Sequence, residues 1–219
     1  MYMKLTALLL LGCAMASGPA VAATARDARD AQTLVNESGS VLKTMEADPH
    51  MKALLTRAKG IFIVPEFGRG ALIVGARGGS GLVMVKDNGH WSDPAFFGLG
   101  GISFGAQAGG SGGAIAMLLM TNKAVNDFRG NANFSLNAGA GLSIINYSAN
   151  TQASWGKGDI VVWSDTGGAY AGATVSATDI GASTDDNDAY YHGHPAPGQI
   201  LDGDYTNPKA RSLTDLLPA

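Results

Sequence analysis

The chain has 219 residues, of which 31 are Gly, about twice the usual share. Hydrophobic residues make up 46%, charged residues only 15%, and the formal net charge is −3. These values exclude a disordered chain and a collagen-like one, and a single Cys rules out an internal disulfide or a Cys-based zinc site.

The first 22 residues read as a secretory signal. Lys4 precedes an apolar run from Leu5 to Ala16, and Ala20-Val21-Ala22 supplies the small residues required for cleavage after Ala22. A second reading takes Leu10-Leu11-Gly12-Cys13 as a lipoprotein box, which would make Cys13 the acylated first residue. Either route leads across an inner membrane, to a periplasmic or envelope-associated location. Residues 23–219 are then expected to form one domain.

Two helices are expected to open that domain. Ala28, Ala31, Leu34, Val35, Ser38, Val41, Leu42 and Met45 recur at three- and four-residue intervals. Asp48-Pro49 is a helix start, with Met51, Leu54, Leu55 and Ala58 as the apolar stripe and Gly60 as the stop. Lys52, Arg57 and Lys59 lie off that stripe.

From Gly60 the pattern turns to strands. Ile61–Val64 is closed by Pro65, and Ala71–Val74 and Leu82–Val85 follow across Gly-rich turns. Asp87-Asn88-Gly89 is a hairpin signal leading to Trp91. Asn122–Arg129 reads as a short helix. The clearest strand runs from Asn133 to Ile144, where apolar and polar or Gly residues alternate strictly. Ile160–Trp163 and Ala169–Val175 complete the set. Helices do not alternate regularly with these strands, which argues against βαβ winding. The expected class is α+β: N-terminal helices packed on a largely antiparallel, Gly-rich β-sheet or barrel.

Charge is distributed unevenly. Seven basic residues (Lys43, Lys52, Arg57, Lys59, Arg69, Arg77, Lys86) face three acidic ones between positions 43 and 86. Nine Asp face only Lys209 and Arg211 between Asp159 and Asp215. A chain polarised in this way can bind an anion at one end despite its acidic total.

Several motifs compete for a function. Gly101, Gly105, Gly109 and Gly113 form a small-xxx-small series, an alternative glycine-zipper segment for an integral oligomer. Against it, the intervening residues alternate with period two, and the eight Gly between Pro94 and Asn122 would each cost a helix about 1 kcal/mol. Gly101-Ile102-Ser103-Phe104-Gly105 and Gly109-Gly110-Ser111-Gly112-Gly113 match the nucleophile-elbow pattern. Such a match arises easily in a Gly-rich chain, and no strand–elbow–helix context accompanies it. His192-Gly193-His194 would set both imidazoles on one face of a strand, as zinc or copper requires, and lies near Asp185, Asp186 and Asp188. Surface Asp and His in a Gly/Pro-rich loop are the commoner case, however, and no calcium-loop spacing is present. No catalytic residue, metal site or cofactor is therefore expected. P-loop and dinucleotide fingerprints are absent, and the basic segment lacks the interleaved aromatics of nucleic-acid binders.

The order of motifs resembles the SYLF lipid-binding domain family. The resemblance rests on Ala58-Lys59-Gly60-Ile61-Phe62-Ile63-Val64-Pro65, then Trp91-Ser92-Asp93-Pro94-Ala95-Phe96, then Gly100-Gly101-Ile102-Ser103-Phe104-Gly105-Ala106-Gln107-Ala108-Gly109. Met117–Thr121, Tyr170-Ala171-Gly172-Ala173, Asn187 and Tyr190-Tyr191 continue it, so about residues 25–203 are covered. The resemblance implies non-enzymatic binding of anionic phospholipids, with phosphoinositides as ligands of eukaryotic members. It places the binding surface on Lys52, Arg57, Lys59 and Arg69. Actin binding, known for some cytosolic members, is not expected of an exported chain. No feature fixes an oligomeric state.

Overall fold

The structure is a computed structural model that describes residues 19–67, 78–103, 113–130, 132–136, 141–147, 154, 157–165 and 176–219. Helix α1 (Pro19–Glu46) follows the expected periodicity. Ala31, Leu34, Val35, Ser38, Val41, Leu42 and Met45 are all buried.

Helix α2 (Pro49–Arg57) starts as the sequence dictates: the Asp48 carboxylate accepts the His50 N–H at 2.8 Å, and Pro49 takes the first helical position. Its end differs from expectation. The helix closes at Arg57 with Ala58 extended (φ −64°, ψ 143°), and Gly60 belongs to the following strand. Gly is needed there for space: a Cβ at Gly60 would stand 3.0 Å from the Met84 carbonyl oxygen and 3.1 Å from Leu119 Cδ1.

Strand β1 (Gly60–Phe67) runs through Pro65 instead of stopping at it. β1 is an interior strand, where a proline normally breaks the ladder. Here the register shifts between Val64 and Phe67, so Pro65 occupies an irregularity in which its missing N–H costs nothing. β2 (Gly79–Asp87) and β3 (His90–Trp91) form the expected hairpin. Asn88 and Gly89 have φ of 49° and 83°, the two positive angles that a tight primed turn requires.

The remaining strands are β4 (Ala95–Ser103), β5 (Gly113–Leu119), β6 (Asn133–Leu136), β7 (Ile144–Asn146), β8 (Ile160–Ser164) and β9 (Ser176–Ala182). Helix α3 (Asn122–Gly130) lies between β5 and β6, and α4 (Thr184–Tyr191), α5 (Pro197–Leu201) and α6 (Arg211–Thr214) follow β9. The expected strands at 71–74 and 169–175 lie outside the described residues. Sheet order is β6-β9-β4-β2-β1-β5-β8-β7, with β3 beside β2. Among the described residues every pairing is antiparallel except β7 with β8, which is parallel. The α+β class with N-terminal helices and a largely antiparallel sheet is thus what the chain adopts.

The single strand expected from Asn133 to Ile144 is instead two strands on opposite edges of the sheet. Between them Gly141 has φ of 72°, which an extended run does not accommodate. In a flat sheet the eight strands from β6 to β7 would set these edges roughly 34 Å apart, seven spacings of about 4.8 Å. Eight extended residues from Leu136 to Ile144 reach only about 27 Å. The sheet must therefore curl, and it forms a half-barrel.

Phe128 of α3 fills one face of this curl. Its ring lies 5.2 Å from Phe62, 5.3 Å from Phe97 and 4.8 Å from Phe134, centroid to centroid. α1 packs on β1 and β2 and reaches α4 and α6. Ile61 to Val64 are wholly buried, because the strand is covered on both faces.

The glycine-zipper alternative is not supported. Ser103 and the residues before it belong to β4, and Gly113 opens β5, so both ends of the stretch are strand. Residues 104–112 lie outside the described residues. Among the described residues, no helix is long and apolar enough to cross a membrane.

Candidate functional site: a basic sheet end

Register brings together cations that are far apart in sequence. Gly60 pairs with Val85 on one side and Leu119 on the other. The Lys59 N–H therefore donates to the Leu119 carbonyl at 2.8 Å, and the Lys86 N–H donates to the Lys59 carbonyl at 2.8 Å. One end of the sheet thus gathers the α2–β1 link, the end of β2 and the start of α3.

The ammonium groups at this end are held by neutral oxygens. Lys59 Nζ donates to Asn122 Oδ1 at 2.9 Å, Lys86 Nζ to the Thr56 carbonyl at 3.1 Å, and Lys123 Nζ to the Gly141 carbonyl at 2.7 Å. Lys86 also lies 5.6 Å above the Trp91 ring. A neutral acceptor fixes an ammonium without cancelling its charge, and it leaves further N–H donors for a ligand. Lys52 and Arg57 stand exposed on α2, the helix that Lys86 reaches at Thr56.

Neighbouring carboxylates are held chiefly by other groups, although Lys123 lies near enough to Asp127 and Asp159 for its charge to act on both carboxyls. Asp48 accepts the Tyr147 hydroxyl at 2.5 Å as well as the His50 N–H, and the Tyr147 bond chiefly holds its carboxyl below the usual range. Asp159 accepts the Ser143 N–H at 2.9 Å and the Thr121 hydroxyl at 2.8 Å, and it too is held low, first by Ser143. Asp87 is paired with Arg129, which also reaches Asp202 at 3.1 Å.

The acidic counterpart lies at the other end of β1. Glu66 stands seven residues beyond Lys59, roughly 23 Å along an extended strand. It helps to line a cavity of about 560 Å³ with Asp30, Glu37 and Asp186. Burial, then the charge of Glu66, pushes the Glu37 carboxyl above its ordinary range. Burial likewise raises Asp186; Asp27, Asp30 and Asp185 add to the rise, and a hydrogen bond from Ser183 opposes it.

Of the four residues expected to bind, Lys52 and Arg57 are exposed on α2 and Lys59 is exposed just beyond its end, whereas Arg69 lies outside the described residues. Lys86 and Lys123 join the group although the sequence reading did not place them there; no local pattern marks them, because only strand pairing brings them close. His192 and His194 do not share a strand face. His192 ends α4 in a left-handed conformation (φ 54°), and His194 pairs with Asp188. Among the described residues, no three His, Cys, Asp or Glu are grouped to hold a metal ion. Ser103 sits in β4 in register with Ser176 of β9, a ladder position and not an elbow.

Comparison with known proteins then identifies the family. The Ysc84 family model, described as a Las17-binding protein actin regulator, matches residues 100–219. The chain belongs to this family. The SYLF resemblance read from the motifs is therefore borne out. An SH3 domain-containing protein, PJ696.02, of Schizosaccharomyces pombe is 28% identical over 164 residues, which is 72% of this chain and 38% of that protein. SH3 domain-containing YSC84-like protein 1 of Bos taurus is 24% identical over 197 residues, 87% of this chain and 58% of its own length. The Homo sapiens protein of the same name is also 24% identical over 197 residues, with 57% of its length covered. The chain thus spans well under two thirds of the curated relatives it matches. The Ysc84 family is described by what its members bind, not by a reaction.

Proposed function

We propose that this Ysc84-family chain is a non-enzymatic protein that docks reversibly on anionic phospholipid headgroups through the basic sheet end. The observation that carries the reading is the set of lysines fixed on neutral oxygens: Lys59 on Asn122, Lys86 on Thr56 and Lys123 on Gly141. Each basic residue brought to an anionic surface contributes about 1 kcal/mol. Lys52, Arg57 and Lys59 together account for about a hundredfold in affinity on that scale.

The leader read in residues 1–22 would bring the protein to periplasmic or envelope membranes, where phosphatidylglycerol and cardiolipin carry the negative charge. Flotation with phosphatidylcholine vesicles, with and without phosphatidylglycerol, tests the proposal. Binding is expected only to the anionic vesicles, is expected to weaken as salt rises, and is expected to be lost when Lys52, Arg57 and Lys59 are reversed to Glu. Arg69→Glu is tested separately. Equal binding to both vesicle types would overturn the reading, as would co-sedimentation with actin filaments in the absence of any vesicle binding.

A further inference from the structure

The β2–β3 hairpin shares Lys86 with the basic end and adds to it an aromatic ring that the headgroup reading does not use. Lys86 Nζ donates to the Thr56 carbonyl, which ties the hairpin to α2. The same ammonium lies over the ring of Trp91, which is half-buried and donates its indole N–H to the Pro218 carbonyl at 2.8 Å. The tip beyond them, from Asp87 to His90, is exposed. The indole's polar atom is therefore satisfied inside the protein while part of its ring faces outward. A cation, a partly exposed indole packed in part against the core and an exposed two-residue turn thus stand on one hairpin. An indole next to a lysine suits the layer between headgroups and acyl chains, where amphipathic rings and snorkelling ammonium groups settle.

Resting on the headgroup reading above, we propose that the β2–β3 hairpin is a second membrane contact, with Trp91 seated in the interfacial layer and Lys86 on an adjoining phosphate. Charge complementarity and continuity with the α2 surface both specify an anionic bilayer as the occupant. The molecule then meets the bilayer end-on, with the Lys86 end of β2 toward the lipid and the Ser80 end away from it.

The test uses the full chain carrying Cys13→Ser, with an environment-sensitive fluorophore on His90→Cys or, as the control, on Ser80→Cys. Both positions are exposed, so neither label disturbs the core. With phosphatidylglycerol vesicles the label at position 90 is expected to brighten and shift to the blue, while the label at position 80 stays unchanged. Trp91→Phe is expected to weaken vesicle binding about fivefold, the effect of replacing an interfacial indole by a smaller ring that lacks its amphipathic character. If the protein binds these vesicles but position 90 does not respond, or position 80 responds equally, the hairpin proposal is overturned and the headgroup reading stands. If the protein does not bind the vesicles, the headgroup reading fails and the hairpin proposal falls with it.

Discussion

Tyr147→Phe is the most informative single change, because one hydroxyl ties the start of α2 to the chain beyond β7. That hydroxyl donates to Asp48 Oδ2 at 2.5 Å, and Asp48 in turn caps α2 through the His50 N–H. A hydrogen bond to a charged acceptor contributes about 1.5–3 kcal/mol when sheltered. The pair is partly open to solvent, so about 1 kcal/mol is the expected loss at pH 7. In a domain of this size that lowers Tm by about 2–4 °C.

The pH dependence gives the sharper test. The Tyr147 bond lowers the carboxyl of Asp48, so its contribution is present above the usual carboxylate value and is lost as pH falls through the still lower folded value. The deficit of Tyr147→Phe should therefore hold steady from pH 7 to 5 and shrink below about pH 4. Urea unfolding at several pH values measures it. No deficit at pH 7, or one that is the same at pH 3, would refute the argument.

Other changes probe the core and the acidic end. Asn187 is buried, accepts the Phe96 N–H at 2.9 Å, and donates to the carbonyls of Phe96 and Ser183 at 3.0 and 2.8 Å. Asn187→Ala should cost about 2–4 kcal/mol by chemical denaturation, and Asn187→Asp should cost as much, because it removes both donors and buries a charge. Phe128→Ala removes the ring that Phe62, Phe97 and Phe134 surround and should cost about 3–5 kcal/mol. Gly81→Ala would set a Cβ 2.6 Å from the Ile63 carbonyl oxygen and 2.7 Å from the Phe62 ring, so it should be more damaging than Gly60→Ala, as read from the two unfolding midpoints. Burial and Glu66 raise the Glu37 carboxyl, so its ionised form opposes folding at neutral pH. Glu37→Gln should stabilise the protein by under about 1 kcal/mol at pH 7, and the gain should vanish near pH 4, where the native carboxyl is already protonated.

What the sequence reveals, and what it hides, follows the range of each interaction. The Asp48-Pro49 start and the Asp87-Asn88-Gly89 turn are local devices, and both form as their residues require. Pro65 misleads because its tolerance depends on a register irregularity against β5, about fifty residues away. Strict alternation from Asn133 to Ile144 is genuine, yet alternation says only that two faces differ. It does not say that one continuous strand carries them, and Gly141 supplies the break. The same limit applies to the site. Lys52, Arg57 and Lys59 lie within one helix and its exit, so the helical spacing shows them. Lys86 and Lys123 reach the group only through the pairing of β1 with β2 and β5.

Sheet order also sets a schedule for the nascent chain. β9 lies between β6 and β4, so the outer edge of β4, with the apolar Phe97 and Leu99, has no strand partner until residues 176–182 have been made. Through most of synthesis, and of any export, that edge is a template for another chain. A chaperone that holds the chain unfolded until its last forty residues are available would suppress aggregation, and a truncation before Ser176 should precipitate rather than fold.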